Sequence, residues 1–239
     1  MAQDRRNGDT KPGWQNRRLY LPAYRVSEAA RLANTTAQTI TRWYRGYEAP
    51  GHHMRPVLPS DGSLLLSYLQ LVELAFVATF RRLGIRLEAL RRAREYSVKT
   101  LNSEFPFAQL RFTTDGVHLF HTLAEYDDND LQDERMIATD TGGQLVWGPA
   151  VADRISQFEY EDGLALRWHP RGRDSVILVD PRIGFGAPVI LGTGIPTWVI
   201  KDRVQAGEDL AEIGDDFGLS PAQVKEALSF EDVAVPAAA

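Results

Sequence analysis

The chain has 239 residues, of which 44% are hydrophobic and 25% charged, with a net charge of −5 and no cysteine. That length allows two domains or three small ones. The missing thiols exclude disulfides, iron–sulfur clusters, cysteine zinc sites and thiol nucleophiles, and fit a reducing cytoplasm.

No apolar run reaches the roughly eighteen residues of a membrane span. Met1 to Arg18 is polar and basic without a hydrophobic core, so residues 1–20 read as a disordered basic arm and not as a secretory signal. The net charge hides a division. Residues 1–103 hold 17 Lys and Arg against 8 Asp and Glu, whereas residues 104–239 hold 10 against 24. The front half is therefore expected to meet a polyanion and the back half something neutral or basic; chance clustering on solvated faces is the bland alternative.

Tyr24 to Tyr47 reads as two helices. Ser27 is a good N-cap with Glu28 behind it, Ala29, Ala30, Leu32 and Ala33 are compact, and Asn34-Thr35 supplies a turn. A second helix spans about 36–45. Stepping about 100° per residue from Ile40 gathers Ala37, Trp43 and Tyr44 on a core-facing stripe. Gln38, Arg42 and Arg45 fall opposite, flanked by Thr39 and Thr41. Arg and Gln can pair bidentately with guanine and adenine edges in the major groove, so this face has the composition of a DNA-reading helix. A plain helical hairpin with a polar outer face is the competing reading. Arg25, His52 and Arg55 are candidates for phosphate contact, the last two on a turn-rich stretch, Glu48 to Ser63, that reads as a wing. Leu64 to Leu83 is a long apolar helix stopped by Gly84 and buried in its own domain or at a subunit contact. Ile85 to Leu101 is a further helical run whose arginines fit a solvated face. This order of parts, over about residues 24–95, is similar to the winged helix-turn-helix of MerR-class regulators. That resemblance implies dimeric DNA binding; the class's cysteine-based effector sensing does not carry over.

From Phe105 to Leu178 the texture turns strand-like. Gln109 to Phe120 reads as a hairpin around Thr114-Asp115-Gly116, with further short strands at Gln144–Trp147, Arg154–Tyr160, Ala165–Trp168 and Ser175–Val179. Asp127 to Glu134 lacks the glycine and closing glutamate of a calcium loop and reads as a solvated acidic loop. His118 and His121 would point to opposite faces of a strand, and His169 stands alone, so no metal site is expected. No nucleophile elbow, phosphate loop or dinucleotide fingerprint occurs; neither a catalytic residue nor a cofactor is expected.

Asp180 to Ile200, DPRIGFGAPVILGTGIPTWVI, combines four glycines with three prolines and should alternate tight bends with very short extended pieces. Two short helices then follow, roughly Asp209–Phe217 and Pro221–Phe230, joined by Gly218-Leu219 and started by Ser220-Pro221. Val224, Ala227 and Leu228 form the inner face of the second; Ala222, Glu226 and Ser229 point out. With Glu212, Asp215 and Asp216 on the first, phosphate would repel this surface, which suits a basic protein better. The pattern over Val176 to Phe230 resembles the small antitoxin domain of the domain-of-unknown-function family 433. It departs from the usual signature at Gly194, where the family carries Arg; any partner contact made by that Arg would be absent.

The expected fold is α+β. A winged helix-turn-helix covers residues 21–103, a small antiparallel acidic connector 104–175, a helix-turn-helix-like domain 176–231 and a flexible tail 232–239. Together the resemblances imply a VapB-like antitoxin of a type II toxin–antitoxin module. Such a protein would neutralise a PIN-type ribonuclease toxin (VapC-like) by protein–protein binding and repress its own promoter DNA as a homodimer, in the cytoplasm and without a membrane. The residues that meet the toxin are not assignable from sequence. The alternative is a stand-alone dimeric MerR-like transcriptional regulator.

Overall fold

The computed structural model describes residues 17–49, 52–60, 62–63, 65–109, 137–139, 145–147, 153 and 155–234. Mixed helix and sheet make up these residues, as expected. Residues 17–20, assigned to the basic arm from sequence, are folded: Leu19 is fully buried, and its carbonyl accepts from the Leu69 amide.

Strand β1 (Tyr24–Arg25) runs straight into helix α1 (Val26–Leu32). Arg25 is held extended by pairing with Leu65, so the helix begins at Val26 and Ser27 lies inside it, not at the N-cap. The chain turns at Asn34, in the left-handed region, into α2 (Ala37–Arg45). Thr36 caps α2 by accepting from the Thr39 amide. A hairpin of β2 (Tyr47–Ala49) and β3 (His52–Met54) follows. Strand β4 (Leu65–Leu66) pairs antiparallel with β1. These leucines, expected to open the long apolar helix, instead close a clasp around the helix pair.

Helix α3 (Tyr68–Arg82) starts at a capping box in which Ser67 and Gln70 satisfy each other's backbone amides. Every residue of α3 from Tyr68 to Phe80 except Gln70 is buried inside the one chain. Helix α4 (Leu87–Leu101) follows Gly84. Arg94 on α4 donates to Glu73 of α3 at 2.8 Å, and Glu73 also accepts from the amides of Phe107 and Ala108.

Strands β5 (Ile137–Thr139) and β6 (Leu145–Trp147) form a small antiparallel pair. The expected hairpin beyond Gln109, the Asp127–Glu134 loop, His118 and His121 lie outside the described residues. A four-stranded antiparallel sheet is built from β7 (Phe158–Glu161), β8 (Leu164–Trp168), β9 (Ile177–Val179) and β10 (Pro188–Ile190), in the order β10-β9-β8-β7. The β7–β8 turn puts Asp162 and Gly163 at positive φ, the geometry that suits a two-residue hairpin. Ile155 and Ser156, expected on a strand, are helical. The expected domain boundary at 175/176 falls between β8 and β9, which pair in one sheet.

Three helices complete the chain: α5 (Thr197–Gln205), α6 (Leu210–Phe217) and α7 (Pro221–Phe230). Sequence reasoning missed α5 because it follows a run of glycines and prolines; Pro196 is its N-cap residue and starts it. One large core joins Ile40 and Trp43 of α2, α3, Phe158, Trp168, Ile177 and Phe230. A second, smaller core of Ile190, Ile200, Ile213, Leu219, Val224, Ala227 and Leu228 lies among the last three helices.

Candidate functional site

The α2 face comes out largely as the helical spacing dictates. Ile40, Trp43 and Tyr44 are buried, while Gln38, Thr41, Arg42 and Arg45 are exposed. Gln38, Arg42 and Arg45 fall four and three apart and so share one stripe. Ala37, expected inside, is exposed because it sits at the first helical position, beyond the packed turn. Thr39 is half-buried, and its hydroxyl accepts from Thr36 at 2.9 Å. The Thr41 hydroxyl donates to the Ala37 carbonyl at 2.9 Å. Both threonines therefore serve the helix first. The Arg42 guanidinium lies 5.3 Å from the centre of the Tyr47 ring, which steadies it without neutralising it.

Arg25 is exposed at the N-cap of α1. Arg55 lies 3.8 Å from Glu88, a carboxylate shared with Arg91 and Arg92. His52 is placed by its backbone, opposite Ala49 in the hairpin. Sequence reasoning did not assign the role of Arg82. Its guanidinium donates to the carbonyls of Ala33 and Asn34 at 3.1 and 3.2 Å, tying the α1–α2 turn to α3.

The second cluster surrounds Asp180, which is almost fully buried. Its carboxylate accepts from the Arg182 amide at 2.8 Å, from the Arg182 guanidinium at 2.7 and 2.9 Å, and from Arg167 at 3.2 Å. Burial pushes the carboxyl pKa up, but the hydrogen bonds and charge of Arg182, with Arg167, outweigh it and hold the group below its ordinary value. A 3-10 turn follows, with Gly184, Phe185 and Gly186 all at positive φ. Gly186 lies under the Tyr24 hydroxyl, so close that a Cβ would collide with it. The Gly192–Gly194 bend is closed by the Ile190 amide donating to Ile195 and the Thr193 hydroxyl donating to Ile190. Gly194 is at φ +72, a conformation that disfavours a side chain such as Arg.

Residues 177–230 match the family described as "Protein of unknown function (DUF433)". The match begins at the first residue of β9 and ends at the last residue of α7, so it is a structural unit: two strands, the glycine bends and three helices. The likeness to individual proteins is far longer. The chain is 26% identical over 226 residues to the Mycobacterium tuberculosis protein named "Putative antitoxin VapB45", covering 88% of this chain and 94% of that one. It is 23% identical over 214 residues to "Uncharacterized protein Rv2308" of the same organism, covering 87% and 89%. The crystal structure of Rv2018 from M. tuberculosis superimposes with a TM-score of 0.69 at 24% identity, over 88% of this chain and 99% of that one, so the fold is shared.

Within the DUF433 segment, Glu226 is a correction to the outward face expected of α7. It turns to the sheet and accepts from the Ser175 hydroxyl and the Val176 amide, because the end of β9 leaves those donors without ladder partners. Glu212 and Asp215 are exposed as expected, and Asp216 is exposed while paired with Arg203. The end of α7 docks on α1. Arg31 donates to the Phe230 carbonyl at 3.0 Å and stands over its ring at 4.9 Å, and Arg171 donates to the Ser229 carbonyl at 2.8 Å. A cavity of about 430 Å3 opens here between the Asn34-Thr35 turn, Arg171 and Phe230. Among the described residues no helix is long and apolar enough to cross a membrane.

Proposed function

We propose that this chain is the antitoxin of a type II toxin–antitoxin module, acting by binding and without catalysis of its own, in the cytoplasm. Its partner is a PIN-type, VapC-like ribonuclease toxin, and as a homodimer it represses its own promoter. The observation that carries this reading is the end-to-end likeness to the protein named "Putative antitoxin VapB45". A likeness confined to the DUF433 segment would speak for one end only; this one covers the basic helix pair as well.

The geometry supports a division of labour. In this reading the α1–α2 pair is a helix-turn-helix and the β2–β3 hairpin its wing. Arg42 and Arg45 present guanidinium forks, and Gln38 an amide, on the solvent side of α2. Each good bidentate base contact discriminates by about 1–3 kcal/mol. Arg25, Arg55 and His52 are the proposed phosphate contacts, which set register and not sequence. The back half, with 24 acidic residues against 10 basic, repels nucleic acid and attracts a basic protein surface such as one that binds RNA.

The test pairs two assays. A short gene for a PIN-type protein should lie beside this one, and co-expression with its product should give a stable complex and relieve the growth arrest that the neighbour causes alone. At fixed salt, Arg42→Ala/Arg45→Ala should weaken promoter binding by about tenfold or more. A harmless neighbour, or separate elution of the two proteins, sinks the antitoxin reading; undiminished DNA binding sinks the assignment of α2.

One observation favours the second reading, a stand-alone dimeric MerR-like regulator. A cavity of about 320 Å3 with an apolar floor of Ile40, Tyr44 and Leu66 opens beside α2, a size that suits a small effector. A small molecule that changes promoter affinity in the absence of any toxin would support that reading.

A further inference from the structure

Half of the exposed large hydrophobic side chains among the described residues fall within sixteen positions: Ile183 (37% exposed), Phe185 (83%), Leu191 (46%) and Trp198 (48%). They sit on the bends of the glycine-rich motif and at the start of α5. The Ile183 methyl lies against Gly194, and the Ile190–Ile195 hydrogen bond closes the loop that carries Leu191. Val189 bridges to Pro196, two residues before Trp198. Phe185 is the most telling member. It is a non-glycine residue at φ +58 and ψ 24, between two glycines that are themselves at positive φ. The left-handed conformation is unfavourable for an L-residue. Its ring gains little in return: 83% of the residue is exposed, and the contact on it is Arg18, 5.4 Å from the ring centre. Among the described residues nothing explains backbone strain and solvent exposure together at one aromatic residue; both are explained if the ring meets another molecule.

The net charge of the segment that carries these side chains points to the occupant. Residues 177–234 carry 10 Asp and Glu against 4 Lys and Arg. Arg182, Lys201 and Arg203 among those bases are held by Asp180, Glu231 and the Glu208–Asp216 pair. Asp202 stands exposed one helical turn after Trp198, on the same face of α5. Exposed apolar side chains on a net-acidic segment match a protein surface with an apolar cleft edged by lysine and arginine. We infer that Phe185 and Trp198, together with Ile183 and Leu191, are the anchors by which the DUF433 segment grips a basic protein partner. This rests on the antitoxin reading above and names the surface that does its work.

The experiment uses the full chain and the product of the gene expected beside its own, a PIN-type protein on the reading above, with affinity measured by titration calorimetry and oligomeric state by sedimentation. Trp198→Ala should weaken the complex by about tenfold or more, the loss expected of a central aromatic anchor. Phe185→Gly should weaken it similarly while raising the thermal midpoint, because glycine relieves the left-handed strain. Opposite signs in binding and stability are a result that a purely structural residue would not give. If the wild type binds and both variants bind equally well, this assignment is overturned while the antitoxin reading survives. If the wild type does not bind, the reading falls and takes the assignment with it. A free chain that is dimeric in the wild type and monomeric in both variants would make the patch a self-association surface and also overturn the proposal.

Discussion

The approach of Tyr24 to Gly186 joins two segments 162 residues apart and shows how far a single missing methyl can matter. Gly186 is needed twice over, for φ +84 and for the tyrosine hydroxyl that occupies the place of its Cβ. Gly186→Ala should therefore cost about 2–5 kcal/mol in urea denaturation, the sum of left-handed strain and overpacking. Gly192→Ala is the internal control: φ is +80 but nothing lies within 4 Å, so strain alone, about 1–2 kcal/mol, is expected. The Tyr24 hydroxyl is buried without a hydrogen-bond partner among the described residues. Tyr24→Phe should accordingly be neutral or stabilising and should recover part of the Gly186→Ala loss, a coupling that a double-mutant cycle reads directly. Asp180 adds a pH signature. Its folded pKa lies below its ordinary value of 3.8, so its contribution is complete above that pH and is lost as pH falls through the folded value. Asp180→Asn should flatten the acid limb of a stability–pH curve and lower the plateau. The glycines were legible in the sequence as bends. Which of them lies under a tyrosine was not, because no local pattern encodes a contact across that separation.

Among the elements, legibility followed how local the decisive interaction is. Helix α2 was readable because its cap, its inner stripe and its outer stripe all lie within ten residues. Helices α6 and α7 were readable for the same reason, with Gly218 in the left-handed region and a Ser220–Gln223 capping box between them. Helix α5 was lost because Pro196 reads as a breaker unless it is seen to stand just before a helix, where its missing amide costs nothing. The start of α3 was misplaced because Leu65 and Leu66 are taken by pairing with β1, a partner some forty residues upstream. The true start is marked by Ser67 and Gln70. Ser67→Ala should cost about 1 kcal/mol, measured as a fall in the urea midpoint without change in slope, since only the cap is removed. Glu226 went the same way as Leu65: the helical wheel gives its angle but not the backbone amide of Val176 that waits there.

At the scale of the molecule, the charge division along the sequence does not correspond to two independent bodies. Phe76 of α3 stacks on Phe158 of β7 at 5.3 Å, and Phe158 stacks on Trp168 of β8 at 5.4 Å, so the basic helical front and the sheet share one aromatic column. Glu73, fully buried on α3, holds Arg94 and the amides of Phe107 and Ala108, closing the same junction with polar bonds. At the other side Phe230 from the last helix enters the large core beneath α1. Removing residues 153–234 would bare Phe76, Phe107 and the underside of α1 together. A fragment of residues 17–109 should therefore expose its apolar core, bind a hydrophobic dye and show no cooperative thermal transition, whereas the whole chain melts as one unit. Limited proteolysis should likewise release no folded helical domain from the front. The same continuity gives any partner seated on the DUF433 segment a physical route to α1 and α2, through Arg31, Phe230 and the core they share. A helical front that melts cooperatively by itself would instead make the two ends independent, and the DNA binding proposed for α2 would then be indifferent to what the far end holds.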